Sequence, residues 1–179
     1  MSICVKRFGN QMKNLFLIRH AKSSWDERSL SDFDRPLNDR GHKSAPFMAD
    51  LLFSKRMIPD YIFSSPANRA LSTAKYFTQS FDIPDTDIVT DHDLYHASVT
   101  DLLAIVQSIP EEKKNVLLFG HNPGFTDLAN YLTGEHIFNV PTSGIVHIEF
   151  DTLFWGKTGR NRGRLMAFYE PKNYKEQWK

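Results

Sequence analysis

Leu15-Phe16-Leu17-Ile18-Arg19-His20-Ala21 joins a short branched apolar run to a charged turn. Two other stretches have the same build: Tyr61-Ile62-Phe63 leads to Arg69, and Val116-Leu117-Leu118-Phe119 leads to Gly120-His121. Runs of this length and composition suit strands buried on both faces of a parallel sheet. In open α/β sheets, ligands bind in the crevice beyond the carboxyl ends of the strands. His20, His121, Arg19 and Arg69 are therefore expected on one rim, a combination that suits a transferable phosphoryl group.

Working outward, strand and helix patterns alternate, which predicts a layered α/β fold. A polar loop over 21–38 follows the first strand, with Trp25 and Phe33 expected to anchor it. A helix is expected from about Asp39 to Lys55. Pro46 predicts a kink, or a late start with Ser44 as the cap. Ser65 as N-cap with Pro66 at the first helical position predicts a helix reaching about Ser80. A short strand near Asp87–Thr90, a helix near Thr100–Ile109 and a helix near Phe125–Leu132 complete the alternating part. Ile145–Asp151 and Arg164–Glu170 read as an antiparallel pair joined by a long basic connection. Lys157, Arg160, Arg162 and Arg164 in and beside it are expected to be a solvated hairpin tip.

At 179 residues the chain fits one domain with a substantial core. We expect a single domain over 12–179 and a loose extension over 1–11. The formal net charge of +1 offers no general attraction to nucleic acid or to an anionic membrane. No apolar stretch approaches the roughly 20 residues that span a bilayer. Cys4 is the only cysteine, so an intrachain disulfide is excluded and a reducing, cytoplasmic setting is expected. The seven histidines lack metal-ligand spacing, so neither a metal nor another cofactor is expected.

Each candidate gains from its context. Arg-His is a common dipeptide, but here it ends a buried strand. Arg69 falls in the first turn of a helix, where a cation opposes the helix dipole and an anion is welcome. Gly120-His121-Asn122-Pro123-Gly124 sets a histidine among turn formers. Arginine grips phosphoryl oxygens bidentately. Neutral imidazole attacks phosphorus without an activating base. Arg19 and Arg69 should keep His20 neutral by like-charge repulsion. His121 can donate a hydrogen bond as charge moves, and Lys22 is a candidate for added positive potential.

Together, 17–22 (Leu-Ile-Arg-His-Ala-Lys), 34–41 (Asp-Arg-Pro-Leu-Asn-Asp-Arg-Gly), 64–70 with Thr73-Ala74, and Gly120-His121-Asn122-Pro123 resemble the histidine phosphatase superfamily. The likeness is to its small, SixA-like phosphohistidine phosphatase branch. It implies a phosphoglycerate-mutase-like three-layer α/β/α sandwich with a mostly parallel central sheet. It also implies a phosphorylated His20, phosphate binding by Arg19 and Arg69, a pocket completed by His121, and no metal. Larger relatives carry a Glu or Asp between Arg69 and His121 as general acid. The corresponding 94–98 stretch, Leu-Tyr-His-Ala-Ser, has no carboxylate. Asp93 and His96 are possible substitutes.

A missing acid favours a weak P–N bond over an alkyl ester, whose alkoxide gains about 10²–10⁴-fold from a proton donor. The expected activity is metal-independent hydrolysis of protein phosphohistidine or another phosphoramidate through a phosphohistidine enzyme intermediate. The alternatives are a broad phosphomonoesterase for small molecules and a non-catalytic phosphate-binding module. The partner is accordingly a phosphorylated protein or a small phosphorylated compound. The sequence leaves the oligomeric state open.

Overall fold

Apolar residues alternate between the two faces of each central strand, and each set finds its own pair of helices. The computed structural model describes residues 12–26 and 29–178, so the expected extension over 1–11 lies outside the described residues. The elements run β1 (Met12–Arg19), α1 (Asp39–Ser54), β2 (Tyr61–Ser64), α2 (Asn68–Phe81), β3 (Ile88–Thr90), α3 (Val99–Gln107), β4 (Asn115–Gly120), α4 (Gly124–Thr133), β5 (Ile145–Asp151) and β6 (Arg164–Tyr169).

The six strands form one sheet in the order β3-β2-β4-β1-β5-β6. Neighbours among β3, β2, β4 and β1 are parallel, and β5 runs antiparallel to both β1 and β6. Phe16, Ile18, Ile62, Leu117 and Phe119 pack with Met48, Leu52, Ala74 and Phe77 of α1 and α2. Leu15, Leu17, Phe63, Val116 and Leu118 pack on the opposite side with Leu102, Val106, Phe125 and Leu128 of α3 and α4. The period of two thus fills both faces and yields the expected three-layer sandwich.

α1 starts where expected but with a different cap, and the starts of α2 and α3 differ from the sequence expectation. α1 begins at Asp39 with Asn38 as cap, its side chain accepting from Gly41 N at 3.0 Å, and it continues through Pro46. Ser44 is not a cap but a buried residue whose hydroxyl meets Ser143 Oγ at 2.8 Å. α2 starts at Asn68 rather than at Pro66, and its N-cap position, Ala67, supplies no side-chain bond. Ser65 is diverted to the candidate site described below. α3 starts one residue ahead of expectation, fixed by a capping box between Ser98 and Asp101.

The loop over 21–38 returns to the end of β1. Ser23 bridges Leu37, and Asn38 N donates to Lys22 O at 3.0 Å. A Cβ on Gly41 would lie 2.2 Å from that same carbonyl, so only glycine lets α1 approach the loop. Phe33 anchors the loop by stacking on His92 and meeting Tyr95 edge-on. Trp25 does not: it is 69% exposed, and the Arg35 guanidinium lies on its ring face at 3.3 Å. The basic residues of the β5–β6 connection are exposed as expected. Trp155 in the same connection is fully buried, its indole N–H donating to Lys113 O at 2.9 Å.

Candidate active site

β1, β2 and β4 end side by side, with Arg19 in register with Gly120 and Ser64 with Phe119. His20, Ser65 and His121 are the next residues along each chain. Backbone bonds from His20 N to Gly120 O at 3.0 Å and from Ser65 N to Phe119 O at 2.9 Å carry the pairing one step past the strands. The parallel register thus gathers three polar side chains at the crevice where such sheets bind ligands.

The His20 ring is nearly buried. Its Nδ1–H donates to its neighbour's carbonyl, Ala21 O, at 2.7 Å, which leaves the lone pair on Nε2. Arg69 Nε donates to that lone pair at 3.3 Å. Thr73 ties the two residues together: its hydroxyl accepts from Ala21 N at 2.9 Å and donates to Arg69 O at 2.7 Å. Burial, with the nearby Arg69, Arg19 and Arg35 guanidiniums, pushes His20 down to about 3, against the lift from the Ala21 carbonyl. His20 is therefore neutral at physiological pH.

The His121 ring lies 5.0 Å from the His20 ring. Its Nε2 meets Ser65 Oγ at 2.9 Å, while its buried Nδ1 has no partner among the described residues. Ser65 Oγ also accepts from Ala67 N at 3.4 Å, so its proton is free to point at Nε2. That arrangement assigns the imidazole proton to Nδ1. Burial first, then His20 and Arg69, hold His121 down to about 2. The buried Arg19 Nε has no partner among the described residues, while its Nη1 donates to Val140 O at 2.8 Å and Asn139 Oδ1 at 3.3 Å. Among the described residues these two buried donors beside a neutral histidine lack acceptors.

The structure thus brings together four of the five expected site residues, His20, Arg19, Arg69 and His121. Lys22 is exposed, and no hydrogen bond or ion pair of its side chain occurs among the described residues. Asp93 is exposed, and among the described residues no hydrogen bond or ion pair joins its side chain to the site. His96 reaches the rim, its ring 6.5 Å from that of His121.

Sequence reasoning missed Asp32. Its carboxylate receives Arg35 Nη1 at 2.7 Å, Arg69 Nη2 at 3.0 Å and the Tyr95 hydroxyl at 2.7 Å, while His96 Nε2 lies 3.9 Å away. Burial alone would raise its pKa, but the Tyr95 hydroxyl and the two guanidiniums hold it below the ordinary carboxylate value. Ser65 was also missed as a site residue. It occupies the same place after β2 that His20 occupies after β1, a signal present in the sequence but outweighed by the Ser-Pro helix-start pattern. Among the described residues no three His, Cys, Asp or Glu side chains converge as metal ligands.

Comparison with known proteins agrees with this geometry. The family model described as histidine phosphatase superfamily (branch 1) matches residues 15–124. An uncharacterized chloroplastic protein of Arabidopsis thaliana is 33% identical over 134 residues, covering 70% of this chain and 61% of that protein. Phosphoglycerate mutase 1 of Saccharomyces cerevisiae is 33% identical over 73 residues, covering 40% of this chain and 30% of the mutase. The chain therefore spans 61% and 30% of the length of these curated relatives.

Among solved structures, a candidate phosphohistidine phosphatase SixA from Agrobacterium tumefaciens superposes with a TM-score of 0.77 at 31% identity. The match covers 89% of this chain and 98% of that one. The protein histidine phosphatase SixA complexed with tungstate gives 0.78 at 24% identity, covering 90% and 99%, which shows the shared fold. The fold is the phosphoglycerate-mutase-like one that the sequence predicts. With strand register, paired histidines and matching motif order all in agreement, the chain belongs to the histidine phosphatase superfamily.

Proposed function

We propose that the protein is a phosphatase that moves the phosphoryl group of a phosphoramidate, foremost phosphohistidine on a protein, to His20 Nε2 and then to water. The observation that carries this reading is the state of His20: neutral, its Nδ1–H fixed on Ala21 O, its Nε2 lone pair faced by Arg69. Arg69 and Arg19 then grip the phosphoryl oxygens, and His121 Nδ1–H donates to one of them as charge develops. Lys22, two residues after His20, adds positive potential.

The steps balance without an added acid. The His20 Nε2–P bond forms as the substrate P–N bond breaks, and the electron pair stays on the substrate nitrogen. A substrate imidazole protonated at its second nitrogen leaves neutral. Water then attacks phosphorus, the Nε2–P bond breaks, and orthophosphate keeps both water protons. His20 returns neutral with its Nδ1–H still on Ala21 O.

Asp32 supplies the carboxylate that the 94–98 stretch lacks, yet its depressed pKa keeps it ionised. An anion cannot donate the proton an alkoxide needs, so P–N substrates remain the better fit. Hydrolysis of small phosphomonoesters is the second reading, favoured by the exposure of the rim residues Asp32 and His96. A reducing, cytoplasmic location fits the single cysteine. No helix among the described residues is long and apolar enough to cross a membrane.

The experiment is to trap the enzyme with phosphoramidate and look for an acid-labile, alkali-stable phosphoenzyme, with a chelator present. Wild type is expected to label at His20 and to turn over. His20→Ala should lose the label and at least about 10³-fold of the turnover. A protein that binds phosphate but never labels is a binding module instead.

A further inference from the structure

Asp32 is a charged group at the mouth of the site that the transfer chemistry leaves unused. It comes from the loop after β1, on the outer side of Arg69, and its side chain is 39% exposed while that of Arg69 is 6% exposed. Arg69 and Tyr95 take one oxygen of the carboxylate, and Arg35 takes the other. The Arg35 oxygen has further lone-pair capacity and the side chain is open to solvent. Tyr95 and His96, the two rim residues nearest Asp32, also line a cleft of about 640 Å³ that runs along Asp91, Asp93 and Asp101. The deep end of the site is cationic, with Arg19 and Arg69. Its rim carries the Asp32 carboxylate beside Arg35, and the neighbouring cleft is lined by three further aspartates.

Such polarity sorts substrates by the charge of the group that leaves. A phosphoryl group carried on an imidazole that is protonated at its other nitrogen presents an anion to the arginines and an N–H cation to the rim. A phosphate ester of an acidic or neutral alcohol presents no such donor. Resting on the proposed phosphatase reading, we propose that Asp32, with Tyr95 and His96, forms a leaving-group subsite. There the carboxylate accepts a hydrogen bond from the second, protonated nitrogen of the departing imidazole, or from a comparable cationic nitrogen base. The bond that breaks is still P–N, its electron pair stays on the nitrogen that held phosphorus, and the N–H that Asp32 holds is never transferred. Asp32 thereby favours the protonation state in which the imidazole can leave neutral.

The test compares kcat/KM for N-phosphohistidine and para-nitrophenyl phosphate in wild type, Asp32→Asn and Asp32→Glu. Asp32→Asn keeps a similar shape and loses the charge. It should lower the ratio of the two constants by about tenfold, the scale of one charge-assisted hydrogen bond, while Asp32→Glu keeps the wild-type ratio. An equal loss on both substrates would mean that Asp32 only holds Arg69 in place, and the subsite is then wrong. An unchanged ratio in Asp32→Asn overturns it as well. A wild-type enzyme that forms no phosphoenzyme defeats the phosphatase reading itself, a result separable from the ratio because it does not depend on Asp32.

Discussion

Arg69 Nε lies 3.3 Å from His20 Nε2, a guanidinium N–H aimed at the lone pair of an imidazole. The pair is compatible with one protonation state only, because a proton on Nε2 would set two donors against each other. On the far side of the ring, the Ala21 carbonyl demands a proton on Nδ1. The two contacts select the tautomer that a phosphoryl acceptor needs. Burial and three arginines keep the second proton away.

His20 should therefore show no titration near the ordinary histidine value. Nitrogen NMR of the free enzyme is expected to report a neutral, Nδ1-protonated His20 from pH 8 down to pH 5, since its pKa is pushed to about 3. An imidazolium signal for His20 at pH 6 would contradict the arrangement. By the same reasoning, any acid limb of turnover near pH 6.5 belongs to the substrate or to an exposed group, and it should persist in variants that leave the His20 surroundings intact.

Ser65 is expected to act on phosphate through His121, whose Nε2 its hydroxyl meets at 2.9 Å. With the Ser65 hydroxyl donating to Nε2, the His121 proton stays on the buried, unpartnered Nδ1. Ser65→Ala removes that preference, and part of the population moves the proton to Nε2. Turnover is expected to drop about tenfold, the worth of one buried hydrogen bond of about 1.4 kcal/mol. The His121 tautomer should shift in the same NMR spectrum. Ser65→Thr keeps the hydroxyl and should recover both readouts, whereas a loss of activity with an unchanged tautomer would remove the proposed role.

The central sheet and the four site residues were legible because they depend on local signals. Leu15–Ile18 and Val116–Phe119 are too apolar and too short for anything but doubly buried strands, and a strand end fixes where the next residue points. Ser44, Ser65 and Asp32 were not legible, each for a physical reason. Ser44 reads as a cap until Asn38 takes that role and Ser143 takes its hydroxyl. Ser65 reads as a cap until β4 brings His121 within 2.9 Å. Asp32 reads as one more loop acid among Asp26 and Asp34. Only the return of the 21–38 loop, fixed by Asn38 N on Lys22 O and by Phe33 against Tyr95, sets it on Arg69. Long-range contacts carry these assignments; only for Ser65 did the sequence hold a signal, its place after β2, and the Ser-Pro helix-start pattern outweighed it. Trp155 is a similar case, an aromatic in a basic connection whose burial depends on Lys113 and Glu111 from another part of the chain.

Stability should fall on mild acidification, and the sheet histidine His147 gives a way to separate that effect from the site. His20, His121 and His147 are pushed down to about 3, 2 and 4, chiefly by burial. Above pH 6.5 these groups are neutral in both folded and unfolded chains and add no pH dependence. Below pH 6.5 the unfolded chain takes up protons that the fold refuses, so stability is lost as pH falls; the share of His147 levels off near 4, while those of His20 and His121 continue to about 3 and 2. Each refused proton at the well-buried His20 and His121 costs about 1.4 kcal/mol per pH unit in that window. Urea unfolding between pH 7 and pH 4.5 is expected to show midpoints that decline steadily below pH 6.5. His147 stacks on Phe16 at 4.2 Å and bonds Asn14 Oδ1, and among the described residues no hydrogen bond, ion pair or ring contact joins it to a site residue. His147→Phe should therefore reduce the slope while leaving phosphoenzyme formation unchanged. Midpoints that stay level from pH 7 to pH 5 would mean that water reaches these rings far more freely than their burial allows.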